Sequence, residues 1–155
     1  MKRKRDNRWN DIDGGSAFSI PYTLLRHTNY IRLSAYGHKL LADLARQYSG
    51  FNNGYLCASW SLMKTCGWRS SITLHTAVLE CEHYGLLIRT QQGGRNKPNL
   101  HAFSWRRIDE KTGHVLDRLP TLKPTDDWKE ECPRFMRTTG KRKSPSSRKR
   151  KLRAV

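Results

Sequence analysis

A helix that ends at a glycine and leads directly into a basic hairpin is the feature that most constrains the fold of this chain. Residues 70–84 carry apolar side chains at the spacing of one helix face: Leu74, Ala77, Val78 and Cys81. Gly85 follows where a left-handed helix end favours glycine. Two apolar segments, 86–90 and 100–105, then flank the polar segment 91–99, a pattern typical of two antiparallel strands around a turn.

Upstream of this unit the sequence predicts further helices. After a strand-like entry, the chain enters a short helix near Pro21, because proline is favoured in a first helical turn. Ser34 is a candidate N-cap for a longer helix through Tyr48, and Ser59 is one for a short helix that Gly67 ends. A turn signal and the short apolar segment 55–57 separate these two helices, so that a short strand is expected there.

From Ser34 onward the expected order is helix, short strand, helix, turn, helix, strand, basic loop, strand. Three helices followed by a two-stranded hairpin is the plan of the winged helix-turn-helix. Two sequence segments resemble that family: Leu62-Met63-x-x-Cys66-Gly67 for its first helix and turn, and Ser70-Ser71-Ile72-Thr73-Leu74-x-x-Ala77-Val78-x-x-Cys81-x-x-x-Gly85-Leu86-Leu87 for its recognition helix and wing. The chain departs from the pattern by one residue, since both Trp68 and Arg69 precede the cap at Ser70.

A narrower resemblance rests on four further segments: Phe18-x-Ile20-Pro21-x-x-Leu24-Leu25, Leu33-Ser34, Tyr48-x-Gly50-x-Asn52-Asn53-Gly54 and Ser104-Trp105-Arg106. They are similar to segments of small winged-helix proteins of bacterial phages, prophages and plasmids, which in turn are similar to DNA-binding domains of plasmid replication initiators. This resemblance implies double-stranded DNA as the partner. It also implies a role as a transcription regulator or a replication-associated factor of a bacterial mobile element.

The basic charge is distributed unevenly along the chain. Lys and Arg number 30 against 13 Asp and Glu, a formal net charge of +17. Residues 16–108 hold eleven basic and three acidic side chains, 109–133 hold four and seven, and 134–155 hold ten and none. A segment as basic as the last cannot bury enough apolar surface to offset the entropy of ordering it. Nucleic acid is the usual polyanion that binds a basic domain with a basic tail, and an anionic membrane is the less favoured alternative.

These observations divide the chain into four parts. We expect a basic flexible N-terminal arm over 1–17, a winged-helix DNA-binding domain over 18–108, a charged extension over 109–133 and a disordered basic tail over 134–155. The fold class is expected to be mainly α with a small β-hairpin. No segment is long and apolar enough to span a bilayer, and the basic N-terminus lacks the apolar stretch of a secretory signal. We therefore expect a cytoplasmic, nucleoid-associated protein without a membrane partner.

The solvent side of helix 70–84 provides the predicted base contacts. The first residues of a helix in the major groove reach base edges. Ile72 can contact a thymine methyl group and His75 can donate to a guanine acceptor, while serine and threonine hydroxyls can bind phosphate or bases. Arg, Asn and Gln, the strongest base readers, are missing from this face. The predicted contacts of this region are Arg69, Ser70, Ser71, Ile72, Thr73, His75 and Thr76.

The hairpin loop and the tail provide the predicted backbone contacts. Two glycines in the loop allow a close approach, and Arg95 can enter a narrow minor groove. No acidic residue occurs between Arg89 and Ile108. The predicted wing contacts are Arg89, Gln92, Arg95, Asn96 and Lys97. The predicted tail contacts are Lys141, Arg142, Lys143, Arg148, Lys149, Arg150 and Lys151.

Enzymatic and metal-binding interpretations receive little support from the sequence. The few acids of the folded region form no pair for acid–base chemistry, and Gly93-Gly94 lacks the Lys-Ser/Thr that completes a phosphate-binding loop. The three cysteines 57, 66 and 81 with His75 lack zinc-site spacing, and four cysteines in 155 residues do not form a disulfide framework. We expect no catalytic activity, no cofactor and no metal.

Two other function classes stay open at this point. One is an RNA-binding or ribosome-associated basic protein, which competition between duplex DNA and structured RNA would distinguish. The other is a winged-helix protein-interaction module, in which the tail only localises the chain. A homodimer and contacts with the replication or transcription machinery also stay open, although no long heptad helix is available for a coiled coil.

Overall fold

The structure of the chain, a computed structural model, describes residues 12–137. The first eleven residues of the predicted arm lie outside the described residues. So does the segment from residue 138 onward, and with it every tail contact predicted between Lys141 and Lys151.

Within residues 12–137 the fold is a mixed α+β arrangement of five α-helices and three strands. The helices are α1 (Tyr22–Leu25), α2 (Thr28–Ile31), α3 (Ala35–Ala45), α4 (Trp60–Met63) and α5 (Ser71–His83), and the strands are β1 (Leu56–Cys57), β2 (Leu87–Gln91) and β3 (Leu100–Phe103). Three single 3₁₀ turns lie at Asp13–Gly15, Lys64–Cys66 and Asp127–Lys129. The order predicted from Ser34 onward is confirmed.

The sheet is larger than the predicted two-stranded hairpin, because β1 joins it. The strand order is β1-β3-β2 with antiparallel pairing throughout, and Leu56 lies opposite His101. Gln47 holds β1 in place: its amide donates to the carbonyl of Cys57 (2.8 Å) and its side-chain oxygen accepts the N–H of Cys57 (2.9 Å). Helix α3 ends at Ala45, three residues before the predicted end at Tyr48, so Gln47 lies beyond the helix.

Helices α3 and α5 pack closely and form the centre of the core. The predicted apolar face of α5 is confirmed, since Leu74, Ala77, Val78 and Cys81 are all buried. Gly37 permits the close approach, because a Cβ there would lie 3.0 Å from the carboxylate of Glu80 on α5. Ser34 links the two helices as well as capping α3: it accepts the N–H of Gly37 (3.1 Å), and its hydroxyl donates to Glu80 on α5 (2.5 Å).

The connection between α4 and α5 contains the residue that departs from the winged-helix pattern. Gly67 adopts a left-handed conformation (φ +82°) and ends the turn after α4. The following Trp68 is buried, and its indole N–H donates to the carboxylate of Asp43 on α3 (2.7 Å). Lys39 also contacts this carboxylate (2.8 Å). Trp68 is therefore fixed against α3, while the next residue, Arg69, is exposed at the start of α5.

The charged extension packs back onto the domain although it shows no hydrophobic period. Trp128 is only 4% exposed and belongs to the main core cluster. The buried Asn29 amide donates to the carbonyls of Tyr84 (3.3 Å), Trp128 (3.0 Å) and Glu130 (2.7 Å), and its oxygen accepts the N–H of Cys132 (3.0 Å). The backbone of residue 127 lies so close to Gly85 that a Cβ at Gly85 would be 2.6 Å from it.

Candidate nucleic-acid interface

The exposed side of α5 presents part of the predicted contact set to solvent. Ser70 caps the helix, since its hydroxyl accepts the N–H of Thr73 (3.2 Å), so the first helical turn begins at Ser71. Ser71 and His75 are exposed, and Ile72 keeps 56% of its surface in solvent. An isoleucine this exposed at the start of a helix is available for contact with a partner.

Two threonines of the predicted set are less available. Thr73 is half-buried, and the half-buried Thr76 uses its hydroxyl to donate to the carbonyl of Ile72 (2.9 Å). Arg69 is exposed beside the helix N-terminus, and within residues 12–137 it has no acidic side chain within 4 Å. The geometry therefore favours Arg69, Ser71, Ile72 and His75 as the contact residues of this face.

The tip of the β2–β3 hairpin is a tight turn that exposes three of the predicted wing contacts. The N–H of Gly94 donates to the carbonyl of Lys97 (3.0 Å), and the N–H of Lys97 returns the bond (3.1 Å). Asn96 takes a left-handed conformation (φ 65°) to close this turn. Arg95, Asn96 and Lys97 are all exposed, so the turn directs two cations and an amide away from the sheet.

Arg89 has a structural partner that the sequence interpretation missed. Its Nε and Nη2 atoms donate to the two carboxylate oxygens of Glu82 (3.0 and 2.9 Å), and Nη1 donates to Gln92 (3.0 Å). The buried His101 also contacts Glu82 (3.1 Å). Burial acts to raise the pKa of Glu82, but the hydrogen bonds and charges of His101 and Arg89 outweigh it and hold that pKa below its usual range. Arg89 thus connects the end of α5 to β2.

The remaining wing residue, Gln92, lies at the end of β2 and is exposed. Its backbone N–H donates to the carboxylate of Asp117 (2.7 Å), and its side-chain oxygen accepts from Arg89. This places an acidic side chain of the extension next to the base of the wing. The tip of the β2–β3 hairpin, at residues 95–97, is therefore its cationic part, and the base of the hairpin is not.

A cavity of about 180 Å³ lies between α5 and the hairpin. It brings together Ser71 and His75 of the helix with Arg89, Asn99 and His101 of the hairpin. Trp60 of α4 also lines this cavity and is 39% exposed. Met63, three residues later, is the buried residue of this helix. Trp60 and Asn99 are two site residues that sequence reasoning missed.

A second groove, of about 540 Å³, separates the wing tip from a turn in the extension. Its lining includes Asn96 and Lys97 of the wing, and Lys111 and His114 of the turn. Sequence reasoning also missed these two extension residues. The available signal was the segment Lys111-Thr112-Gly113-His114, which combines a glycine with basic character as the wing loop does.

The part of the chain that the structure describes offers few side chains placed for metal binding or nucleophilic chemistry. Residues 12–137 contain no group of three or more His, Cys, Asp or Glu side chains placed to hold a metal ion. The thiol of Cys81 lies in the core, and burial, followed by the charges of Glu80 and Glu82, raises its pKa well above the ordinary value. None of the helices in the described range is long and apolar enough to cross a membrane.

Comparisons with protein-family models, with curated proteins and with solved structures found no match to this chain. The geometry and charge of the described residues are therefore the basis for assigning a function to this chain.

Proposed function

We propose that this chain is a winged-helix protein that binds double-stranded DNA, with α5 in the major groove and the β2–β3 loop against the minor groove. We further propose that it acts as a transcription regulator or a replication-associated factor of a bacterial mobile element. The observation that carries the proposal is the pairing of an exposed helix start, at Ser71, Ile72 and His75, with a cationic hairpin tip at Arg95 and Lys97.

The dimensions of α5 are compatible with the major groove of a duplex. The thirteen residues of α5 make a helix about 20 Å long, and a single helix fits the major groove, which is about 12 Å wide. Its buried face is packed on α3, so the opposite face is the one available to a groove. Within this arrangement Ile72 and His75 contact base edges, and Arg69 contacts a phosphate near the helix N-terminus.

The charge distribution supports a polyanionic partner. Two acids of the described range are paired inside the fold: Asp43 with Trp68 and Lys39, and Glu82 with Arg89 and His101. The cations of the wing tip, by contrast, have no acidic side chain within 4 Å among residues 12–137. An uncompensated positive surface attracts nucleic acid and raises its rate of association.

The test compares two double variants on two duplexes, a preferred duplex selected from a random pool and its scrambled counterpart. Replacing Ile72 and His75 by alanine removes their interactions with base edges, so discrimination between the duplexes decreases by about 1–3 kcal/mol for each of the two side chains. Non-specific affinity stays close to that of the wild type. Ile31→Ala, which changes an isoleucine that is exposed on α2, is the matched control and leaves discrimination unchanged.

The second double variant, Arg95→Ala with Lys97→Ala, weakens binding to both duplexes, and more so where the flanking sequence has a narrow minor groove. An equal decrease in affinity for both duplexes from the Ile72/His75 change shows that α5 does not read bases. If neither variant affects binding, α5 and the wing are not the DNA-contacting elements, and the protein-interaction interpretation takes their place. Tighter binding to structured RNA than to any duplex would instead favour the RNA-binding alternative.

A further inference from the structure

The groove between the wing tip and the extension is bordered by two turns of the same kind. In the wing, Gly94 and Lys97 exchange backbone hydrogen bonds; in the extension, the N–H of His114 donates to the carbonyl of Lys111 (3.2 Å). Gly113 takes a left-handed conformation (φ +80°) that closes this second turn. Two tight, basic turns therefore border one open groove.

Tyr55, which lines the groove, fixes the second turn. Its hydroxyl accepts the N–H of Lys111 (3.1 Å) and donates to the carbonyl of His114 (3.0 Å). Its ring also lies against the His114 ring (centroids 5.3 Å apart) and 6.0 Å from the ammonium group of Lys111. Because Tyr55 directly precedes β1, the position of the turn relative to the wing is set by the sheet.

The groove is lined by hydrogen-bond donors and positive charge. Lys97 and Lys111 contribute two cations, Asn96 contributes an amide, and His114 adds an imidazole ring. No acidic side chain is among its lining residues, all of which belong to the described range. Glu110, although next to Lys111 in the sequence, lines a different cavity.

We infer that this wing–turn groove binds the sugar–phosphate backbone of the DNA duplex whose minor groove the wing enters. The inference rests on the proposed function and adds a contact element to it. Lysine and amide donors that face an open groove match phosphate oxygens, and a lining without acids favours a polyanion. Since phosphate contacts carry no sequence information, the groove adds affinity to all duplexes alike.

The first measurement is the salt dependence of duplex binding by Lys111→Ala, with Lys123→Ala as the control. Lys123 is an exposed lysine of the same extension and does not line the groove. We expect Lys111→Ala to weaken the preferred and the scrambled duplex by the same factor. We also expect it to reduce the slope of log K against log salt by about 0.9, the value for one phosphate contact. Lys123→Ala leaves both quantities at the wild-type value, and thermal melts confirm that both variants fold.

The second measurement locates the DNA directly. A photo-crosslinking amino acid replaces either Val115, which lines the groove and is 91% exposed, or Leu122, which is 95% exposed and lines a different cavity. We expect crosslinks to duplex DNA from position 115 and none from position 122.

The outcomes separate the two proposals. If the wild-type chain binds no duplex, the proposed function fails and the groove assignment fails with it. If duplex binding depends on Arg95, which does not line the groove, but Lys111→Ala matches Lys123→Ala and position 115 gives no crosslink, only the groove assignment is overturned. Crosslinking from position 115 to RNA in preference to duplex DNA overturns it as well.

Discussion

Replacing Arg89 by methionine separates a structural role from a DNA contact. The sequence assigns Arg89 to the wing's contact surface, but its guanidinium is held by Glu82 at the end of α5. Methionine keeps most of the apolar stem and removes the charge and the hydrogen bonds. The matched variant is Arg95→Met at the wing tip, where the side chain has no acidic partner within 4 Å in residues 12–137.

The expected decrease in stability follows from the partners of Arg89. The variant lacks two hydrogen bonds of 3.0 and 2.9 Å to a carboxylate, and Glu82 keeps only His101 as a charged or polar side-chain partner among the described residues. Hydrogen bonds to charged groups contribute about 1.5–3 kcal/mol, whereas fully exposed ion pairs contribute about 0–1 kcal/mol. Arg89 is 32% and Glu82 21% exposed, so we expect an intermediate decrease of about 1–2 kcal/mol. That corresponds to a decrease in Tm of about 3–8 °C for a domain of this size.

The assay pairs thermal unfolding with duplex titrations at several salt concentrations. Arg89→Met is expected to lower Tm and to leave the salt slope of DNA binding unchanged. Arg95→Met is expected to leave Tm unchanged and to reduce the slope by about 0.9. The reverse pattern, an unchanged Tm with a reduced slope for Arg89→Met, would refute the structural role and return Arg89 to the DNA surface.

Three further outcomes follow from the same structure. Because the folded-state pKa of Glu82 lies below its usual value, its contribution is present above the unfolded pKa and is lost as pH decreases through the folded pKa. Acid titrations of stability are therefore expected to be shallower in Glu82→Gln. Asn29→Ala leaves buried backbone groups of the extension unpaired, so denaturant unfolding is expected to show a decrease in stability of about 2–4 kcal/mol. Deletion of 138–155 removes eight basic residues and only three apolar ones, so it is expected to weaken all duplexes alike in titrations while Tm is retained.

The elements that could be predicted from the sequence are those with local signals. For α5, the apolar period, the cap at Ser70 and the stop at Gly85 all lie within sixteen residues, and each is confirmed. The helix end closes as expected, with the N–H of Leu86 donating to the carbonyl of Cys81 (2.9 Å). Local hydrogen bonding and the burial of one helix face determine these features, so they can be predicted from the sequence.

The parts that could not be predicted depend on partners far apart in the chain. Asn29 pairs with backbone groups 55–103 residues away, and the buried Asn53 donates to the carbonyls of Phe103 and Arg107 at 50 and 54 residues' separation. An asparagine in a sequence indicates a turn or a cap, and nothing local indicates that its amide will hold a distant strand or extension. The same limit applies to the pairing of β1 with β3, although a short strand at 55–57 was expected from the sequence.

Arg89 illustrates a different limit, because its partner was close in sequence. Glu82 lies seven residues earlier, across the glycine that ends α5, so opposite charges flank the helix-to-strand turn. This short separation indicated an ion pair. The position of Arg89 in the predicted wing indicated a DNA contact instead. Before a lysine or arginine is assigned to a binding surface, the sequence should therefore be checked for acidic residues that the local fold brings close enough to form an ion pair.

The way the fold uses its acids explains why the proposed DNA surface is positive. Asp43 fixes the connection before α5, and Glu82 fixes the hairpin after it, so each carboxylate positions an element of the interface and is neutralised there. The cations left on that surface include Lys97 and Lys111 at one groove, whose lining residues in the described range contain no acidic side chain. If the proposed function holds, DNA that binds only the folded state there also stabilises that state by linkage. The proposed DNA surface is thus positive because Asp43 and Glu82 are paired within the fold and do not offset the cations that remain exposed.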